Sequence, residues 1–202
     1  MPPAKASWLR IKIATLRHYH EVANVGEIAR RYFAMNAFDG VLTTLGVLVG
    51  AYLGDVRSAH AIISVGLAAA VAMGVSGFYG SYLVERAERD RSLRELEEAT
   101  LSKLDDSDIA AASTYASIVI ALVDGLSPFV ASLIVLAPFF FSGLISVHNA
   151  YFVAVGIAFV ELFLLGVFLG RISRQRLIWS GAKLIVAGVV CLALSVLLDW
   201  GL

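Results

Sequence analysis

The sequence predicts an all-α, polytopic membrane protein. Five transmembrane helices are expected, four of them paired as a parallel two-hairpin repeat, behind an N-terminal amphipathic helix. Three observations predict this. The 202 residues are 59% hydrophobic and 16% charged, with mean hydropathy +0.81, whereas a soluble domain is about 45–50% apolar and about 25% charged. Five apolar stretches each come near the roughly 20 residues that a bilayer requires. A shift of 85 residues (124 − 39 = 85) lays Asp39-Gly40 on Asp124-Gly125, and Arg86, Arg89 and Arg91 on Arg171, Arg174 and Arg176. Such repeats are a signature of transporter folds, with the site near their interface at mid-membrane.

Residues 1–31 are read as an interfacial helix. Trp8, Leu9, Ile11, Ile13 and Leu16 alternate with Lys5, Arg10, Lys12, Arg17, Arg30 and Arg31, a pattern that lays an apolar side on lipid and cations among headgroups. No run here resembles a signal peptide. His18 and His20 are two apart and do not share a helix face, so they are read as interfacial residues rather than ligands.

Residues 32–84 hold the first transmembrane hairpin, with spans near 32–53 and 59–83 joined by Gly54-Asp55-Val56-Arg57-Ser58. Residues 85–109 form the only strongly charged segment. Leu93, Leu96, Ala99 and Leu104 recur at helical spacing, so part of it extends the second span into water. The second hairpin occupies 110–170, its first helix broken or bent near Pro128 and ended near Pro138. The fifth span lies in 171–202. If the spans alternate, the arginine clusters at 30–31, 86–94 and 171–176 share one side. The positive-inside rule then puts the N-terminus in the cytoplasm and the C-terminus outside. The host membrane would be a plasma membrane in a prokaryote or a vacuolar-type membrane in a eukaryote.

Some chemistry is disfavoured. The formal net charge is zero, so bulk charge points to no nucleic-acid partner. The single cysteine, Cys191, cannot form an internal disulfide and is read as packing. No nucleotide loop, nucleophile elbow, HExxH or CxxC motif occurs, so the chain is read as a non-enzyme.

The candidate site residues are acids and soft or neutral donors on apolar spans. A charge at helix-centre depth costs roughly 2.5–3.5 kcal/mol on insertion scales, so an intramembrane acid is a functional hypothesis by default. Asp39 and Asp124 are repeat-related; Glu161 is a third acid, and Glu85 stands where the second span leaves the membrane. Carboxylates suit hard and borderline divalent cations, and thioethers add softer donors. Met35, one turn before Asp39, and Met73 supply the thioethers, while Thr43, Ser76 and Ser81 supply hydroxyls. Burial in low dielectric favours the neutral form of a carboxyl, so acids at this depth can exchange protons for metal. Glu88, Glu95 and Glu98 are candidates for metal at the cytoplasmic mouth; the alternative is a solvated helix with pairs such as Glu85–Arg89 and Asp90–Arg94. Gly46, Gly50 and Gly54 form a stripe at four-residue spacing, expected to be a packing seam where another backbone approaches closely.

These residues resemble a known family. Ala37-Phe38-Asp39-Gly40-Val41-Leu42-Thr43-Thr44-Leu45-Gly46 is similar to the first-helix motif of the vacuolar iron transporter family, and Ser76-Gly77-Phe78-Tyr79-Gly80-Ser81-Tyr82 looks like its second-helix motif. The likeness spans roughly 28–200. It implies a five-helix homodimer that exports Fe2+ or Mn2+ from the cytosol in exchange for protons. Asp39 would be a transport ligand, the metal would be substrate, and no cofactor would be permanently bound. The departures are Phe38 for Asn, Gly77 for Met and Ser81 for Glu, with Met73 and Glu85 one turn away as stand-ins. The family's cytoplasmic metal-binding segment is shortened to 85–108. The alternatives are a non-transporting structural or partner-binding membrane protein that kept the fold, and a proton-coupled transporter of another solute.

Overall fold

The computed structural model describes Tyr19, residues 25–104 and residues 107–200. The described residues hold five long helices and no strand: α1 (Val25–Leu53), α2 (Ala59–Thr100), α3 (Asp108–Phe140), α4 (Val147–Ile172) and α5 (Leu177–Trp200). Each is long and apolar enough to cross a membrane. The amphipathic helix expected over 1–31 falls mostly outside the described residues; residues 25–31 are the opening turns of α1, which starts earlier than the expected span.

The repeat reappears as helix pairs. Shifted by 85 residues, α1 covers 110–138 and lies within α3, while the start of α2 falls at 144, three residues before α4 begins. The pairs differ in length at one end. α2 has 42 residues and α4 has 26, so α2 runs about 24 Å further at 1.5 Å per residue. That surplus carries the charged segment as a direct continuation of a membrane helix.

The helix ends are closed without glycine at the left-handed position. Asp55, Leu101 and Arg174 have φ of 53°, 52° and 54° and follow α1, α2 and α4. In each case the next N–H reaches back five residues: Val56 to Ala51, Ser102 to Glu97 and Gln175 to Gly170. This is the bond of a Schellman cap, which satisfies carbonyls that a helix end leaves open. α4 starts on Ser146, whose hydroxyl accepts from the Asn149 N–H. α3 does not break at Pro128; it stays helical through Pro128 and Pro138 to Phe140. Pro128 costs the helix one donor without ending it.

The described residues cluster into two units: those of Met1–Tyr32 with Gly77–Asp124, and those of Phe33–Ser76 with Gly125–Leu202. The larger unit holds the main core, in which Val41, Leu45 and Leu48 of α1 join Val135, Leu136 and Phe139 of α3 and Ala154, Ala158 and Leu162 of α4. Its helices meet where side chains are missing. A Cβ on Gly40 would sit 2.5 Å from the Pro128 carbonyl oxygen, and one on Gly166 would sit 2.4 Å from that of Ser180. Ser132 donates to the Gly40 carbonyl at 3.3 Å. α4 and α5 close on each other by the same device, with Gly181 under Phe163 and Gly188 under Leu162. At the far end, the Tyr151 hydroxyl donates to the Val56 carbonyl at 2.9 Å, tying α4 to the α1–α2 turn. The smaller unit has its own core of Val25, Ala116 and Ile120, flanked by Tyr32 and Tyr115.

The Gly46–Gly50–Gly54 stripe is no seam within one chain. Among the described residues, no atom from beyond the local helix backbone lies within 4 Å of a Cβ built at Gly46 or Gly50, and Gly54 meets only carbonyls of its own helix. The intrachain seams use Gly40, Gly66, Gly74 and Gly166 instead. Gly166→Ala should therefore destabilise by about 1–3 kcal/mol, the usual cost of overpacking. Gly46→Ala meets no described neighbour of its own chain outside its helix, so the single chain should tolerate it far better than Gly166→Ala. Thermal unfolding of both variants in detergent checks the contrast.

Candidate functional site

The site residues sort by unit. In the smaller unit, the helix spacing of α2 sets Ser81, Glu85 and Arg89 in line, four residues apart. The Ser81 hydroxyl donates to the buried Asp124 carboxylate of α3. Glu85 accepts a hydrogen bond from the Tyr32 hydroxyl at 3.1 Å and pairs with Arg89 at 3.4 Å. Glu85 and Arg89 are both largely buried, at 13% and 16% side-chain exposure. Desolvated charges at this burial are tolerated because each has its opposite beside it. As the structure stands, Glu85 is therefore committed to Arg89 and Tyr32.

Further along α2 the charges face water. Arg86 donates to the Thr114 hydroxyl and pairs with Asp90 at 3.2 Å; Arg91 pairs with Glu95 at 2.9 Å. The expected Asp90–Arg94 pair does not form, because Asp90 turns back one helical turn to Arg86. Glu88, Glu95 and Glu98 are exposed, and Glu95 is occupied by Arg91. Between this stretch and the start of α3 lies a polar cavity of about 520 Å³, walled by Arg86, Asp90, Arg94, Glu97 and Thr114.

In the larger unit, Asp39 projects from α1 at an exposed position, as do Met35 and Thr43, one turn to either side. Gly40 is buried in the Pro128 contact. At about 100° per residue, the buried Ala37, Gly40, Val41, Thr44 and Leu45 share one side of α1 and Asp39 falls opposite them. Asp39 has no hydrogen bond or ion pair among the described residues. The exposed face continues past Thr43 to the open Gly46 and Gly50. On α2, Met73 is half-buried and Ser76 exposed.

Glu161 is set apart from both groups. It lines an apolar cavity of about 270 Å³, and its Oε2 is buried without a hydrogen-bond partner. Among the described residues, no three His, Cys, Asp or Glu side chains gather closely enough to hold a metal ion.

Sequence reasoning found Glu85–Arg89 from its four-residue spacing. It missed Tyr32, which lies 53 positions from its partner, and it missed the bond joining Ser81 to Asp124, which were named only as separate donors. The buried pair gives a direct test. Arg89→Gln should cost about 3–5 kcal/mol by stranding the Glu85 charge, and adding Glu85→Gln should recover most of it. A double-mutant cycle on detergent-solubilised protein measures the coupling.

Comparison with known proteins adds two findings. A model of the VIT family matches residues 31–112, the stretch from the second turn of α1 through α2 to the first turn of α3. An uncharacterized protein of Methanocaldococcus jannaschii is 36% identical over 172 residues, covering 84% of this chain and 87% of that protein.

Proposed function

Since the chain belongs to the VIT, or vacuolar iron transporter, family, we propose that this integral multi-pass membrane protein moves a divalent transition metal, Fe2+ or Mn2+, out of the cytosol in exchange for protons. The observation that carries the proposal is the outward face of α1. Asp39 stands unpaired and exposed at membrane depth, flanked by the Met35 thioether and the Thr43 hydroxyl. An unsupported carboxylate there is costly, and a thioether beside it is a donor suited to borderline metals. Two bare glycines further along the same face leave it flat enough for a second helix to approach.

On this reading the working unit is a homodimer. Two copies apposed through this face bring two Asp39 carboxylates and two Met35 thioethers together, which gives the donors that one copy lacks. Met73, Ser76, Ser81, Glu85 and Asp124 are then not among the primary ligands. Glu85 is the gate among them, because a metal reaching it must displace Arg89. The arginine-rich ends face the cytoplasm, where the long charged extension of α2 meets incoming cations.

One observation favours a second reading. The absence of any three-ligand group among the described residues, together with the pairing of Glu85, also fits a membrane module that kept the fold without transport. Proteoliposome flux separates the two. Wild-type protein should carry Fe2+ or Mn2+ down a gradient. Asp39→Asn, which keeps the side-chain shape and removes the charge, should cut flux by about two orders of magnitude, the effect typical of losing a metal-site partner, while eluting as the same oligomer. Wild-type flux indistinguishable from empty liposomes would leave the second reading standing.

A further inference from the structure

The transport reading uses Asp39 for metal and leaves Glu161 unexplained. Glu161 lies close to the midpoint of the 26-residue α4, which sets it near the middle of the hydrocarbon layer. Its cavity is bounded by α1, α3 and α4. Phe33 faces it from α1, Ser127, Val130 and Ile134 from α3, and Leu164 and Phe168 from α4 itself. Ser127 is the one other polar lining residue, and no other titratable group faces Glu161 from any of the three helices. The rim is open to the outside of the chain: Phe33, Val130, Ile134 and Leu164 are 41%, 49%, 47% and 58% exposed.

These facts fix the chemistry of the carboxyl. Its Oε2 is buried and makes no hydrogen bond, and no cation stands nearby to pay for a charge. A carboxylate so placed is unsupported, whereas the neutral acid is compatible with an apolar wall. A metal ion is a poor occupant, since one carboxyl and one hydroxyl fall well short of the six or so oxygens that hard cations take. A proton needs one oxygen and no further ligand.

We infer that Glu161 is a lipid-accessible proton-binding carboxyl, protonated at rest in the α1–α3–α4 cavity, and that it carries the proton exchanged for metal. The second clause rests on the transport reading; the first does not. Because Ala37 and Phe33 of α1 line the same cavity, the helix that bears Asp39 also forms a wall around Glu161. Movement of α1 during metal passage would change the cavity's access to water, and with it the proton.

Hydrophobic carbodiimides test the first clause. A protonated carboxyl passes its proton to a carbodiimide nitrogen while its oxygen adds to the central carbon; the adduct then rearranges to a stable N-acylurea, with no further reagent. Full-length protein in phosphatidylcholine–phosphatidylglycerol vesicles is treated with dicyclohexylcarbodiimide or a water-soluble carbodiimide, and peptides are read by mass spectrometry. Glu161 should be labelled at least about tenfold more by the lipid-soluble reagent, with labelling falling as pH rises through deprotonation, about tenfold per unit beyond it. Glu161→Gln should show no adduct on that peptide. No label at Glu161, or equal label from both reagents, overturns the site. For the second clause, Glu161→Gln should bind Mn2+ as wild type does yet lose the acceleration that an imposed pH gradient gives to Mn2+ flux. A variant that keeps the full acceleration overturns the coupling role. If wild type carries no metal at all, the transport reading and the second clause fall together while the labelling result still decides the first.

Discussion

The contact on which the larger unit depends is the approach of Gly40 to the backbone of Pro128. In lipid there is no hydrophobic drive to push helices together, so close van der Waals contact between small residues has to supply the cohesion. Gly40 offers no side chain, and the atoms a Cβ there would meet are the carbonyl oxygen and Cα of Pro128. The two helices can therefore meet at backbone distance, and Ser132 adds a hydrogen bond to the Gly40 carbonyl at 3.3 Å. The same economy recurs where Gly166 meets Ser180 and Gly181.

Fixing Gly40 fixes the rotation of α1, and the rotation of α1 decides which residues face outward and which pack in the core. Val41, Leu45 and Leu48 go to the core. Met35, Asp39 and Thr43 go outward. The exposed acid is thus a consequence of the buried stripe Ala37, Gly40, Val41, Thr44 and Leu45, which occupies one side of α1 and leaves Asp39 on the opposite side. A change at Gly40 that rolled α1 would move Asp39 and the Phe33 wall of the Glu161 cavity together.

Much of the architecture was legible because its signals are local or periodic. Five apolar spans, the 85-residue repeat and the continuation of α2 into the charged segment all follow from composition and spacing. The Glu85–Arg89 pair was legible from a four-residue step. What escaped was long-range or depended on rotation. Tyr32 reaches Glu85 across 53 positions. The Gly46–Gly50 stripe reads as a seam in either case, because the sequence cannot say whether the helix that fills it belongs to the same chain. Asp90 had arginines four residues away on both sides and took Arg86. Glu161 was visible as an intramembrane acid, but its isolation was not, since that requires knowing every side chain around it.

The repeat also shows how one motif can serve two purposes. Asp39-Gly40 and Asp124-Gly125 are equivalent by sequence, and in both the glycine lies against another helix: Gly40 on Pro128, and the Gly125 carbonyl 2.9 Å from where a Cβ on Gly74 would stand. The acids diverge. Asp124 is 5% exposed and accepts from Ser81; Asp39 is exposed and unpaired among the described residues. A carboxylate already held by a buried donor must break that bond before binding a cation, and removing a partner from a buried polar group costs about 1–3 kcal/mol. An unpaired one pays no such cost. The two aspartates are thus equivalent in sequence and different in surroundings: Asp124 is bonded between α2 and α3, and Asp39 is exposed.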